Sequence, residues 1–363
     1  MEALSYKCPN CGGDLRFNPQ GRGYKCDYCS SEYSQEELNQ IFADNESAAL
    51  REAAQNEFVE DVNTSDEEVG RQQALLYSCP SCGAQIVTDF TTAATFCYYC
   101  HSPVVLSGRL DGADTPDYVI PFEIDKTGAE AAFAAWIKKK RYVPKSFYSK
   151  DQIDKLSGVY FPYLLYSCKV HASLDAAAEK HSRNRIGNTE YQHIDSYHIK
   201  KEGDMDLNNI ARNALRKANK ALVEAVLPYD FNQGRQFKLS YLSGFMAERK
   251  DMQTADFSEN IKAEVSTYAM SRLVDYLADY SNITVYNKEV AVTSGNWQYA
   301  LLPVWTLTYK DDKNNKVYYF SLNGQNGKVV GELPVDYSKL MLTFALIALP
   351  LIILMLLASY FVL

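Results

Sequence analysis

The sequence predicts an α+β protein that opens with two small β modules, each built on four cysteines, and closes with one apolar helix. Three observations carry that expectation. Eight of the nine cysteines form four Cys-x-x-Cys pairs within the first hundred residues. Strand-like and helix-like runs alternate through the middle of the chain. From Leu340 to Leu363 no residue is charged. The expected organisation is a first module at 1–33, an acidic linker at 34–73, a second module at 74–109, an α+β region at 110–337 with signs of two related halves, and the apolar helix at 338–363.

The cysteine spacing is duplicated. Cys8-Pro9-Asn10-Cys11 is followed after fourteen residues by Cys26-Asp27-Tyr28-Cys29, and Cys79-Pro80-Ser81-Cys82 after fourteen by Cys97-Tyr98-Tyr99-Cys100. Tyr6 and Gly12 flank the first copy as Tyr77 and Gly83 flank the second. A two-residue gap lets a tight knuckle aim both sulfurs at one ion, and the glycine behind it can take positive φ. Four thiolates close a tetrahedral zinc shell, so Cys8, Cys11, Cys26 and Cys29 are expected to hold one structural Zn2+ and Cys79, Cys82, Cys97 and Cys100 a second. Modules this small depend on the metal for folding. Cys97-Tyr98-Tyr99-Cys100-His101 also matches the haem-attachment string, but that reading strands Cys79 and Cys82. A redox pair fits poorly, since every Cys-x-x-Cys has a mate. His101 is read as a bystander, and Cys168, alone in an apolar run, as a small core residue.

The net charge of −8 is concentrated. Residues 34–73 carry eleven acidic side chains against Arg51 and Arg71, which reads as a solvated linker with a short helix opened by a Ser34/Glu37 capping box. The modules themselves are not basic. Lys7, Arg16, Arg22 and Lys25 balance Glu2, Asp14, Asp27 and Glu32 in the first, and the second has only Asp89 and Arg109. Phosphate binding requires a basic footprint, so protein contact is the favoured role of these modules over nucleic acid.

In the middle region, Thr127 is expected to cap a helix that buries Ala129, Ala132, Phe133, Trp136 and Ile137 and ends in Lys138-Lys139-Lys140-Arg141, a run read as complementing the helix C-terminus in preference to a lipid or RNA contact. A second helix is expected from Asp206 to about Val226. A third, near 254–280, lines up Ile261, Val265, Ala269, Leu273 and Leu277. Strands are expected at Val159–Leu174, Tyr191–Lys200, Phe237–Phe245, Ile283–Thr293, Leu301–Tyr309 and Val317–Leu322, with hairpin turns at Asp311–Lys316 and 323–327. Leu156-Ser157-Gly158-Val159 recurs weakly as Leu242-Ser243-Gly244-Phe245. There is no phosphate loop, dinucleotide fingerprint, Gly-x-Ser-x-Gly or His-Glu-x-x-His, so no catalytic site is named and the chain is expected not to be an enzyme. His171, His181, His193 and His198 are read as surface polar residues.

The twenty-four residues Leu340–Leu363 reach about 36 Å as a helix, enough to cross a hydrocarbon core of about 30 Å. The run therefore reads as a membrane anchor kinked at Pro350. No apolar leader precedes Cys8, and Lys339 flanks the run, so the N-terminal region is expected in the cytoplasm and the protein in the cell membrane.

Cysteine modules of the form Cys-Pro-x-Cys-Gly, the segment Leu-Ser-Gly-Val-Tyr-Phe-Pro-Tyr at 156–163, Leu-Pro-Val-Trp-Thr-Leu-Thr-Tyr at 302–309 and Asn-Gly-Gln-Asn-Gly-Lys-Val-Val-Gly-Glu-Leu-Pro at 323–334 occur together here. In this combination the chain resembles the bacterial TFIIB-type zinc-ribbon membrane proteins of Bacillota. The resemblance implies two zinc ribbons and a membrane partner for PspA-type and SPFH-type envelope-stress proteins. The primosomal-helicase label that some members carry is not supported, because the phosphate loop of such a motor is missing. The expected function is a cytosol-facing, membrane-anchored adaptor or scaffold for protein partners. The alternative is a membrane-tethered nucleic-acid-binding protein using Lys138–Arg141, Arg183, Arg185 and the Arg212, Arg216, Lys217, Lys220 group.

Overall fold

A computed structural model of the chain describes residues 3–42, 75–97, 100–106, 109–110, 114–218, 220–311 and 316–362. Most of the acidic linker lies outside the described residues, as do the central residues of the 311–316 turn. The chain divides into two compact units: Met1–Pro162 with Arg216–Arg249 and Leu301–Leu363, and Tyr163–Leu215 with Lys250–Ala300. The mixed α+β middle expected from the sequence is present.

Unit 1 contains both cysteine modules. In module 1, β1 (Ala3–Leu4) precedes the first knuckle, and β2 (Leu15–Asn18), β3 (Gly23–Cys26) and β4 (Glu32–Tyr33) form a three-stranded antiparallel sheet. A helix, α1, follows at 35–42. The capping box forms as expected: the Ser34 N–H donates to Glu37 Oε2 at 2.8 Å and the Glu37 N–H to Ser34 Oγ at 3.2 Å. Module 2 repeats the plan with β5 (Leu75–Ser78), β6 (Gln85–Thr88), β7 (Thr92–Phe96) and β8 (Pro103–Leu106). Here β5 pairs with β6 and β7 with β8.

The rest of unit 1 is a sheet around an aromatic core. β9 (Tyr118–Val119) precedes α2 (Lys126–Lys138) and the one-turn α3 (Lys150–Ile153), and β10 begins at Ser157 and runs to Ile186. After β11, described with unit 2, come α4 (Lys220–Ala225), β12 (Arg235–Gln236) and β13 (Met246–Glu248). β13 runs parallel to the start of β10, with Val159 beside Met246, so the two Leu-Ser-Gly segments lead into neighbouring strands. The latter part of β14 (Ser281–Asp311) pairs with β15 (Lys316–Asn323), and β15 with β16 (Val329–Gly331). Phe122 stacks on Phe245 at 4.1 Å and meets Tyr160 and Trp305 edge-on at 5.0 and 5.2 Å. A Cβ at Gly158 would lie 2.7 Å from the Phe245 ring, which is why the segment holding Tyr160 needs glycine there. α2 packs on β15 through Phe133 and Trp136, whose rings lie 4.7 and 5.4 Å from Phe320.

Unit 2 is a long antiparallel hairpin covered by a helix. β10 pairs with β11 (Thr189–Asn213) from Tyr163↔Asn213 to Ile186↔Thr189, with a bulge between Tyr166 and Cys168. The two-residue turn places Gly187 at φ 63° in its first central position, where a twist-compatible turn requires glycine. Val170, Ala172, Leu174, Ala176 and Ala178 alternate inward. α5 (Ala255–Asp275) buries Phe257 and, from the expected stripe, Ile261, Val265, Ala269 and Leu273; Leu277 is buried just beyond the helix. Cys168 is buried, as expected of a small core residue.

Three expectations are corrected. Asp206–Val226 is not one helix: residues to Asn213 form β11, and only Lys220–Ala225 is helical. The i, i+3, i+4 apolar spacing was real, but the residue-by-residue ladder with β10 satisfies the backbone and overrides it. Within Phe237–Phe245, Leu239–Leu242 is a buried 3-10 turn, not a strand. Asp125, not Thr127, caps α2, its Oδ1 accepting from the Gly128 N–H at 2.7 Å.

α6 (Tyr337–Val362) encloses Pro350, and Tyr337–Leu357 is long and apolar enough to cross a membrane. None of that stretch is buried within the protein. An exposed apolar helix of this length matches the bilayer as its solvent.

Candidate metal centres

Each cysteine quartet is assembled by two knuckles of one design. The Cys8 N–H donates to Gly13 O at 2.7 Å and the Gly12 N–H to Cys8 O at 2.8 Å; in module 2 the Cys79 N–H donates to Ala84 O and the Gly83 N–H to Cys79 O, both at 2.8 Å. The second pair of each module repeats the pattern, with Cys26 and Ser31, Ser30 and Cys26 at 2.9 Å, and Cys97 and Ser102, His101 and Cys97 at 3.0 and 2.9 Å. These loops turn N–H groups inward around the sulfurs, a favourable setting for negative charge. Closing each loop needs one residue at positive φ. Gly12 and Gly83 stand at 73° and 74°, as their place behind the cysteines predicted. Ser30 at 60° and His101 at 58° occupy the equivalent corners without glycine. His101 thus has a backbone role and is exposed.

The eight expected cysteines come together in two groups, Cys8, Cys11, Cys26, Cys29 and Cys79, Cys82, Cys97, Cys100, with the sulfurs of each group within 4.8 Å of one another. Cys8–Cys29 and Cys11–Cys26 are 3.6 and 3.5 Å apart; Cys79–Cys100 and Cys82–Cys97 are 3.7 and 3.8 Å apart. A tetrahedron with Zn–S bonds of about 2.3 Å has edges of about 3.8 Å. The sulfur spacing therefore fits tetrahedral coordination in both modules, and no disulfide links them. Both clusters are geometrically fit for a metal ion.

Electrostatics point the same way. Hydrogen bonds from the Ser31 hydroxyl and amide bring the Cys29 thiol down to about 6, while Cys11 is pushed up to about 12: the Gly13 amide favours its thiolate, but bonding to Cys29, burial, and the contacts with Cys26 and Cys8 outweigh it. Module 2 repeats the split. Cys100 is brought down to about 6 by the Ser102 hydroxyl, against burial, and Cys82 is pushed up to about 12, the Ala84 amide being outweighed by bonding to Cys100, burial, and Cys79 and Cys97. Four thiols this close cannot all ionise on their own. A divalent cation among them lifts the repulsion and makes every thiolate a ligand.

Ser31 and Ser102 were not singled out from the sequence, although each follows its last cysteine at the same spacing. Tyr33 was also missed; its hydroxyl lies 3.6 Å from Cys8 Sγ. The histidines do not converge. His171 meets Asp204 at 2.8 Å, His181 meets Glu179 at 2.9 Å and His198 meets Asp175 at 2.6 Å, at separate places along unit 2. Among the described residues, the only groups arranged for a metal are the two cysteine quartets.

Three of the nucleic-acid candidates face carboxylates. Lys217 bridges Asp89 at 3.1 Å and Glu248 at 2.9 Å, Arg212 pairs with Glu264, and Arg183 lies 3.7 Å from Glu190.

No family model and no solved structure matches the chain. It is similar to the uncharacterized protein YdjG of Bacillus subtilis (strain 168), with 29% identity over 348 residues that cover 95% of this chain and 94% of the relative.

Proposed function

We propose that the protein is a non-enzymatic adaptor held in the cell membrane by α6, with two structural zinc ions, that gathers protein partners in the envelope-stress response. Zinc is the metal proposed because four thiolates in a closed tetrahedron suit it and leave no position for substrate. A cytoplasmic N-terminal region is proposed because free thiols persist in a reducing compartment. PspA-type and SPFH-type proteins are the proposed partners, on the strength of the sequence resemblance alone.

One observation carries the protein-contact reading. Near the hairpin tip of unit 2, Ile186, Tyr191, Ile194 and Tyr197 are exposed on paired strands, with Ile283, Val285 and Tyr286 exposed on β14. Aromatic residues are enriched where proteins meet, and the exposed Tyr191, Tyr197 and Tyr286 support the protein-contact reading.

Photo-crosslinking in native membranes tests this, with the reactive group at Tyr191, Ile194 or Tyr286 and a control at Tyr28. Protein adducts from the unit 2 positions, with PspA-type or SPFH-type proteins among them, are expected. Salt-sensitive capture of DNA or RNA, abolished by R216Q/K217Q, refutes the adaptor and favours the nucleic-acid binder.

A further inference from the structure

We propose that Lys138, Lys139, Lys140 and Arg141 form a binding face for the phosphates of anionic lipid headgroups, at the point where α6 leaves the folded protein. The inference rests on α6 being the membrane span.

Helix capping accounts for at most two of these four residues. Lys138 is the last residue of α2 and Lys139 its C-cap, whereas Lys140 and Arg141 lie beyond the helix. A helix terminus attracts cations only within its last turn, and one or two suffice. All four side chains are exposed, and among the described residues none of them forms an ion pair. The basic groups of the 212–217 segment differ, since Arg212 and Lys217 meet carboxylates.

Placement supplies the second argument. The carbonyls of the next two residues are tied to the start of α6. Tyr142 O accepts from the Asp336 N–H at 2.7 Å, and Val143 O from Lys339 Nζ at 2.6 Å. Asp336 itself caps α6, its Oδ1 accepting from the Ser338 and Lys339 N–H groups at 3.1 and 3.2 Å. A run nearly two hundred residues earlier in the chain is thereby fastened to the first turn of the anchor. No member of the run is more than four residues from Tyr142, so each lies within about 14 Å of the tether. The run cannot swing away, because α2 is pinned through Phe133 and Trp136 to Phe320. Lys140 Nζ also rests 5.9 Å from the centre of the Trp136 ring.

Four exposed cations held at that depth face the headgroup layer as soon as α6 enters a bilayer. Cations beside a membrane span attract anionic lipid at about 1 kcal/mol each, an attraction that fades beyond a Debye length. RNA offers the same phosphate chemistry, but the tether to α6 favours the surface already present there.

The test uses the full chain in phosphatidylcholine vesicles carrying spin-labelled phosphatidylglycerol or spin-labelled phosphatidylcholine. Electron spin resonance reads the lipid fraction immobilised by the protein. Wild type is expected to prefer phosphatidylglycerol by about fivefold, the equivalent of one cation contact, and to lose the preference as salt is raised. K138Q/K139Q/K140Q/R141Q, with wild-type metal content as its folding control, should bring the two lipids to near equality. R183Q/R185Q should keep the preference. A wild-type preference that is absent or insensitive to salt overturns the inference, as does one that survives the fourfold change. Loss of the preference on adding RNA, with RNA bound by wild type and not by the fourfold variant, overturns it in favour of RNA. If neither lipid is immobilised by any variant, it is the membrane reading of α6 that fails, and the inference falls with it.

Discussion

In module 1 the strands β2, β3 and β4 pair with one another, whereas in module 2 β7 and β8 also pair outward, β7 with β13 and β8 with β1. Yet the knuckles, the positive-φ corners and the split of thiol acidities are the same in both. The cage is set by a few local residues, and the attachment by residues between the knuckles. Phe17 of β2 is buried and meets Tyr24 and Tyr241 at 5.5 Å, while the Phe17 N–H donates to Ser243 O at 3.0 Å. The counterparts of Phe17 and Tyr24 in module 2 are Thr88 and Thr95. The β2–β4 sheet of module 1 is docked by aromatic packing and by hydrogen bonds to Ser243, whereas β7 and β8 of module 2 are strands of the larger sheet, which β1 of module 1 joins at its edge. A duplicated unit has thus been fastened in two different ways.

The largest expected effect separates those two fastenings. Cys97→Ser and Cys26→Ser should each lower the metal content of the full chain from two zinc ions to one. Metal binding supplies on the order of 10 kcal/mol to comparable zinc peptides. Loss in module 2 removes the support of β7, which lies between β8 and β13, and should unfold unit 1 cooperatively. Loss in module 1 should free β2–β4 and leave the larger sheet folded. Metal analysis with thermal melting monitored by circular dichroism distinguishes the two outcomes; equal losses of melting temperature break the comparison.

Phe17→Ala comes next. Truncating a buried phenylalanine costs about 3–5 kcal/mol, and here the loss falls on docking while the four ligands remain. Hydrogen exchange should rise across module 1 with zinc retained. Thr88→Val at the matching place should be near neutral or mildly stabilising, because the Thr88 hydroxyl is buried without a hydrogen-bond partner.

Smaller again are the corner substitutions. Gly12→Ala and Gly83→Ala should each cost about 1–2 kcal/mol, since a Cβ at positive φ crowds the carbonyl. A Cβ at either position meets nothing within 4 Å, so the cost is conformational and should be equal in the two modules. Ser30→Gly and His101→Gly should gain a similar amount, read from denaturant midpoints.

Short-range features of this molecule were legible in its sequence. Cysteine spacing located both cages, glycine behind cysteine gave Gly12 and Gly83 their φ, the Ser34/Glu37 spacing gave a capping box, and the stripe from Ile261 to Leu273 gave α5 its buried face. What escaped depends on partners far along the chain. Asp206–Asn213 carries an acceptable helical pattern, but it lies opposite Tyr163–Lys169 and completes a ladder there. Leu239–Leu242 is apolar enough for a strand, but its backbone turns to let Ser243 reach Leu15, the Ser243 hydroxyl donating to Leu15 O at 2.6 Å. Ser31 and Ser102 escaped for another reason: serine is common, and only its repetition at one spacing after each last cysteine marks it.

Those two serines give the smallest expected effect and the sharpest test of sameness. The Ser31 hydroxyl lies 3.2 Å from Cys29 Sγ, and it heads the contacts that bring this thiol down to about 6; the Ser102 hydroxyl does the same for Cys100. An unperturbed thiol ionises near about 8.5, so the folded pKa is depressed. The stability it contributes is present above the unfolded value and is lost as pH falls through about 6. Zinc and protons compete for the same sulfur lone pair. Ser31→Ala removes the hydroxyl and keeps the amide, so the Cys29 pKa rises only part of the way back. Protons then displace the metal at a higher pH, and the half-release point should move upward by a fraction of a pH unit. Ser102→Ala should move it by a similar amount, because the cage around Cys100 repeats the one around Cys29. An acid titration with a chromogenic chelator in excess follows each zinc equivalent. A shift in one module and none in the other means that docking, and not the local knuckle alone, tunes the thiolates.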